Sequence, residues 1–239
     1  MELKFLGRGA AFNVKEGNTS AYFIENDTLF LIDCGETVFS RIMQKNLLEG
    51  IKNVYVFITH LHPDHVGSLG TLIFYCTFVL KNPLSIVINS NLPYYNDLIS
   101  LLTAVGCTEN MYHLVKTREL IRKYNAFNSV MYDLTNHCPE IPSCSISFYT
   151  SEGAIYYSGD SNDLRDIQSL CVPVLYDKIK AIYVDVTSLD YPENVHLCIH
   201  HLAKYTPEYF RAKIYCMHFN NDDCIRLARN YGFNIVEVD

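Results

Sequence analysis

The sequence predicts an α/β protein in which β-sheets pack against one another inside a skin of helices. Three observations predict it. Of the 239 residues 49% are hydrophobic, ample for a substantial core in one domain. Short runs rich in β-branched and aromatic residues recur along the whole length. Between them, in both halves, lie segments whose apolar residues fall at three- and four-residue intervals, the spacing of one helix face.

In order along the chain, the strand-like runs are 3–6, 20–24, 28–32, 54–58, 85–88, 129–134, 145–150, 154–158, 181–186, 213–217 and 234–238. The helical spacings cover 38–48, 66–80, 95–104, 164–170, 197–205 and 222–231. This order suits a single domain over 1–239, with no short repeat, low-complexity tract or Gly/Pro/Ser-rich linker dividing it. The segment 109–125, polar and aromatic with Lys116, Arg118, Arg122 and Lys123, fits neither period. It reads as a helical or lid-like insertion near the site.

Composition narrows the partners. The net charge of −7 gives no general attraction to long polyanions, so duplex DNA and large structured RNA are disfavoured while a small anionic substrate is not. The nine cysteines form no C-x-x-C pair, which argues against a zinc ribbon and for reduced, mostly buried thiols. The opening MELKFLGRGA lacks a signal-peptide core, and the longest apolar run, 69–80, is too short to span a bilayer. The expected location is the cytoplasm, with no membrane partner.

The chemistry concentrates in Thr59-His60-Leu61-His62-Pro63-Asp64-His65, directly after the apolar run 54–58. Imidazoles and a carboxylate packed into H-x-H-x-D-H suit zinc and related transition metals, with manganese a second candidate. His60 and His62 can point one way while Asp64 and His65 turn toward a second position, so one loop starts two sites. Three later residues at strand ends complete them: His137, Asp160 in the turn S-G-D-S, and His218. The expected arrangement has His60, His62 and His137 on one ion and Asp64, His65 and His218 on the other. Asp160 lies between two ions about 3.5–4 Å apart, because a carboxylate can bridge a hydrolytic metal pair.

With these residues in place the chain resembles the metallo-β-lactamase fold superfamily over nearly its whole length. The resemblance runs through Leu31-Ile32-Asp33-Cys34-Gly35, the H-x-H-x-D-H loop, His137, the S-G-D turn at 158–160 and His218. It implies an αββα sandwich with a dinuclear site at one edge of the two sheets, and a supporting role for Asp33 rather than metal binding. In its own terms Asp33 is a strand-end carboxylate before Gly35, for which turn chemistry is a second explanation.

Fold alone does not choose a reaction. Asp185-Val186-Thr187, followed by His196, looks like the acid-x-T and downstream histidine of the ribonuclease Z-like phosphodiesterase branch. That resemblance implies His196 as proton donor to the departing oxygen and Asp185 as its orienting partner, with Asp64 also counted as catalytic. The residues after His196 are Leu197 and Cys198 where small hydroxyl types are usual, and His200 and His201 read as structural or exposed. His137 and Asp160 are only 23 residues apart, too close for a tRNA-gripping arm. The opening 6–13 with 18–21 is similar to anti-Pycsar enzymes that hydrolyse 3',5'-cyclic nucleotides, found in phage and bacteria. The resemblance thus implies metal-assisted hydrolysis of a small cyclic nucleotide by a homodimer, in the host cytoplasm if phage-encoded. Tyr94, Tyr95 and Tyr112 are candidates to stack on the base. A thioester or lactone hydrolase, an RNA 3'-end endonuclease and a non-catalytic nucleotide sponge are the other readings.

Overall fold

Strand 28–32, Thr-Leu-Phe-Leu-Ile, has no polar side after its first residue and is buried throughout, as a strand covered on both faces must be. Leu29 and Leu31 enter a cluster beneath one helical layer, whereas Phe30 and Ile32 enter a second cluster between the sheets. The same division recurs in 53–57, where Val54 and Val56 face helices while Tyr55 and Phe57 face the opposite sheet. The computed structural model describes residues 1–238.

The first sheet has the order β1 (Lys4–Gly7), β2 (Ser20–Glu25), β3 (Thr28–Ile32), β4 (Asn53–Phe57), β5 (Leu84–Val87), β6 (Tyr112–Val115). β1 to β3 form an antiparallel meander, and β3 to β6 run parallel. The second sheet has the spatial order β12 (Asn234–Ile235), β11 (Ile214–Met217), β10 (Ile179–Asp185), β9 (Gly153–Tyr157), β8 (Ile141–Thr150), β7 (Ser129–Cys138). It repeats the plan, with β7 to β9 antiparallel and β9 to β12 parallel. Helices α1 (Val38–Gln44), α2 (Pro63–Val66), α3 (Leu69–Phe78) and α4 (Tyr95–Ala104) accompany the first sheet. α5 (Thr117–Lys123) follows β6, and α6 (Leu164–Leu170), α7 (Ile199–Tyr205) and α8 (Asp222–Asn230) cover the second. A third apolar cluster joins β10 and β11 to α6, α7 and α8, so the layers are helix, sheet, sheet, helix.

Several boundaries move from expectation. The helical run 66–80 breaks at Gly67-Ser68 into α2 and α3, where Ser68 Oγ caps the neighbouring turn by bonding Gly35 O at 2.5 Å. β7 extends to Cys138, which places His137 inside the strand at a register shift rather than beyond it. The last strand is confined to Asn234–Ile235. The segment 109–125 is no lid. It supplies the sixth strand of the first sheet and then α5, whose Leu120 and following Tyr124 are buried between the sheets. The far end of α5 reaches Tyr55, in the middle of β4, through Lys123, while Tyr124 lies against Thr28 at the opening of β3. Among the described residues no helix is long and apolar enough to cross a membrane. All nine cysteines are free, and only Cys138 is not fully buried.

Candidate metal centre

The carboxyl ends of β3, β4, β9, β10 and β11 converge, and each carries a polar side chain on its last residue or within the next three: Asp33, Thr59 with His60, Asp160, Asp185 and His218. Two of these strand ends are turned by a non-glycine residue in the left-handed region, Asp33 at φ 61° and His218 at φ 59°. Such conformations cost free energy and persist where the surroundings hold them. After β4 the chain passes through His60 and His62 into α2, with Pro63 at its first turn. The loop lies so close to Gly35 that a Cβ there would collide with the carbonyl of Asp64, so this glycine is required by close approach.

Asp160 sits at the centre with its two oxygens facing different groups. Oδ2 is 3.7 Å from His60 Nε2 and 3.8 Å from His137 Nε2, and His62 Nδ1 closes that group at 3.0 and 3.2 Å from the same two nitrogens. Oδ1 is 3.2 Å from His65 Nε2 and 3.5 Å from His218 Nε2. Asp64 Oδ2 completes the second group at 3.4 and 3.2 Å from those imidazoles. The structure therefore brings together all seven residues singled out from the sequence, in the two groups expected, with Asp160 common to both.

Whether a metal fits is decided by where the protons go. Thr59 gives its backbone N–H and its hydroxyl to Asp33, both at 2.8 Å, so its Oγ1 can only accept from His60 Nδ1 at 3.0 Å. His65 Nδ1 donates to Asp33 Oδ2 at 2.8 Å, and His137 Nδ1 donates to Val195 O at 3.1 Å. With those protons turned outward, the inward nitrogens of His60 and His137 carry lone pairs, and that of His65 carries one once its imidazole is neutral. They point at one another and at carboxylate oxygens, and His65 Nε2 is buried without a hydrogen-bond partner. Lone pairs converging on lone pairs are stabilised by a cation between them, and imidazole with carboxylate is the donor set of a divalent transition metal.

The charge balance of the bare site says the same. Against the opposing effect of burial, Asp160 and Asp64 hold the His65 imidazole well above the usual range, and Asp160 and Asp185 do so for His218. Burial pushes His60 well below it, helped by His65. The Asp64 and Asp160 carboxyls are held low by these imidazoles in spite of burial. The carboxylates thus demand positive charge, which two protons supply here and which a metal would supply by displacing them.

Beside this centre His196 Nδ1 bonds Asp185 Oδ2 at 2.7 Å, while Asp185 Oδ1 stands 3.2 Å from His218 Nδ1. With Nδ1 engaged, Nε2 is the nitrogen His196 can offer a substrate, and its side chain is 25% exposed. Asp185 raises the His196 imidazole above its usual range against the effect of burial. His196 lies in the loop before α7 rather than at its mouth, held by a bridge between Thr187 and Cys198.

The profile of the family described as "Anti-Pycsar protein Apyc1" matches residues 1–234. The chain belongs to that family. Anti-Pycsar protein Apyc1 of Paenibacillus harenae is 26% identical over 99% of this chain and 97% of its own. The human zinc phosphodiesterase ELAC protein 1 is 32% identical over 48% of this chain and 32% of its length, a local likeness. Among solved structures, the metallo-β-lactamase fold protein YhfI of Bacillus subtilis superposes with a TM-score of 0.70 at 14% identity, over 98% of this chain and 94% of that one. The αββα sandwich is thus a metallo-β-lactamase fold.

Some expectations for this family member fail. Tyr94 is 1% exposed and donates its hydroxyl to Ile58 O at 2.9 Å, bracing the strand end under the metal loop. Tyr112 is likewise buried, and Tyr95 packs against the same cluster, so these tyrosines are core. Sequence reasoning also passed over Thr59 and an amide ladder. Asn136 Nδ2 donates to Asn162 Oδ1, and Asn162 Nδ2 donates to Asn194 O, both at 2.6 Å. The ladder ties the ends that carry His137, Asp160 and His196. Thr59 was legible from its place before His60, but asparagines scattered over a strand and two loops carry no local signal.

Proposed function

We propose that this metallo-β-lactamase-fold phosphodiesterase hydrolyses 3',5'-cyclic nucleotides to linear monophosphates using two divalent ions, with zinc favoured by the donor set. The observation that carries a small substrate is the course of the chain between His137 and Asp160. β8 and β9 use it up, joined by the turns at 139–140 and 151–152, and no residue remains for an arm that would grip a large RNA. The net charge of −7 and the likeness to an anti-Pycsar protein support the same choice.

His60, His62 and His137 would hold one ion, Asp64, His65 and His218 the other, and Asp160 would serve both through separate oxygens. Bound there, the ions supply a water of lowered pKa and neutralise charge on the phosphoryl group. Asp33 and Thr59 fix the inward nitrogens of His65 and His60. His196 gives a proton from Nε2 to the departing ribose oxygen, and Asp185 holds the ring and stabilises its charged form. The family resemblance also supports a homodimer in the cytoplasm, for which mass in solution is the direct measurement.

The test is incubation of the metal-loaded protein with 3',5'-cyclic mononucleotides, cyclic dinucleotides and a generic phosphodiester, beside Asp64→Ala, with products separated by chromatography. Conversion of a cyclic mononucleotide to its linear monophosphate, lost in the variant, is expected. No turnover of any phosphodiester with metal bound would replace this reading by thioester or lactone hydrolysis.

A further inference from the structure

The loop that brings His196 to the centre has ligand-type side chains at both ends which the proposed reaction does not use. The chain leaves β10 at Asp185, turns through Asp190 and returns at Cys198, where Thr187 N donates to Leu197 O and Ile199 N donates to Thr187 O, both at 2.9 Å. Between those ends it carries Asn194, the Val195 carbonyl that receives the His137 proton, and His196. At its base Asp190, Cys198 and His201 offer a carboxylate oxygen, a thiol sulfur and an imidazole nitrogen, all within 4.8 Å of one another.

The geometry is that of a partly built ion site. Asp190 Oδ2 and His201 Nε2 stand 3.4 Å apart. Oxygen and nitrogen ligands about 2.1 Å from a tetrahedral ion are separated by about 3.4 Å. Cys198 is only 4% exposed, and its thiol makes no hydrogen bond among the described residues, so a buried polarizable group faces the pair without a partner. The C-x-x-H spacing places Cys198 and His201 on one face of the first turn of α7. Asp190 and His201 are each about half exposed, which leaves an entry path and a fourth position for water. As a bare surface ion pair those two would contribute little.

We propose that Asp190, Cys198 and His201 form a third metal site, separate from the dinuclear centre, which binds zinc and staples the two ends of the His196 loop. Thiolate, imidazole and carboxylate together select a borderline-soft ion over magnesium or calcium. The ion touches no substrate. It acts as a positioning element, limiting the excursions of the segment that aligns His196 and accepts from His137. This site stands whatever the substrate proves to be.

The experiment measures metal content of the full chain after zinc loading and, in parallel, the absorption of the cobalt-substituted protein. The residues around Asp160 include no thiolate ligand, so a sulfur-to-cobalt charge-transfer band reports on Cys198. Cys138 lies 3.8 Å from His62, and Cys138→Ser serves as the control. The exposed His201→Gln is expected to lose about one ion per chain and the cobalt–thiolate band, with Cys198→Ser doing the same and Cys138→Ser keeping the band. Equal metal content in the parent and His201→Gln without any thiolate band overturns the proposal, as does a band that survives Cys198→Ser. Loss of the dinuclear ions alone leaves the band in place, which separates failure of the catalytic reading from failure of this one.

Discussion

The Oδ2 atom of Asp185 lies 2.7 Å from Nδ1 of His196, while its Oδ1 faces Nδ1 of His218 at 3.2 Å, so one buried carboxylate serves both the expected proton donor and an expected metal ligand. Replacing either histidine therefore separates roles that replacing Asp185 merges. His196→Ala should keep the metal content of the parent and lose about 100- to 10,000-fold in kcat on a cyclic nucleotide. The loss should be smaller on a nitrophenyl phosphodiester, whose leaving group needs no proton. Equal losses on both substrates would rule out the proton-donor role. Asp185→Asn should lower turnover and metal content together.

Asp64→Ala removes a ligand of one ion only, and its side chain lies outside the three apolar clusters that build the core. Activity is expected to fall by orders of magnitude while circular dichroism stays near that of the parent and the metal-free melting temperature at neutral pH falls, since the ion pairs with His65 and His218 are lost. A variant with full activity would sink the assignment.

Much of this site was legible because metal ligands obey local rules. His60, His62, Asp64 and His65 are contiguous, and His137, Asp160 and His218 announce themselves by standing at or near strand ends. The β-strands of the sandwich interior were readable for a related reason: burial on both faces leaves continuous apolar runs such as 28–32 and 54–57. β6 and α5 were not, since β6 is an edge strand whose exposed His113 breaks the pattern, and α5 alternates charge with apolar residues over barely two turns. The tyrosines misled because an aromatic that anchors a loop from below has the same composition as one that stacks on a ligand; only the bond from Tyr94 to Ile58 O distinguishes them. The asparagine ladder joins residues whose proximity is created by the fold.

Asp33 offers a cleaner probe than the ligands themselves. It accepts from Thr59 twice and from His65, yet lies at φ 61°, where Asn is tolerated as well as Asp. Asp33→Asn keeps the backbone and volume but replaces one accepting oxygen by a donor, so the His65 or Thr59 bond must break. Metal affinity, read by competition with a chromophoric chelator, should fall about 10- to 100-fold. Asp33→Ala should add a loss of thermal stability that Asp33→Asn does not show. Unchanged affinity in Asp33→Asn would remove Asp33 from any role in orienting the ligands.

The pH dependence of metal binding follows from the same buried charges. In the bare site the His65 and His218 imidazoles are held well above their usual range, with burial opposing and Asp160 the largest favourable influence on each. A raised folded-state pKa contributes stability that is fully present below the unfolded value of about 6.5 and is lost as pH rises through the folded value. Asp64 and Asp160, held low by these imidazoles despite burial, contribute stability above about pH 4 that is lost as pH falls through their folded values. The metal-free protein should accordingly lose stability as pH rises above about 6.5. Divalent ions compete with the His65 and His218 protons, so affinity must move the opposite way, strengthening as pH rises. The increase in melting temperature on adding zinc should be larger at pH 8 than at pH 6, with protons released on binding measurable by calorimetry in buffers of different ionisation enthalpy. A zinc-induced shift that is constant between those pH values, or largest at the lower one, would contradict protonated imidazoles as the occupants that the metal displaces.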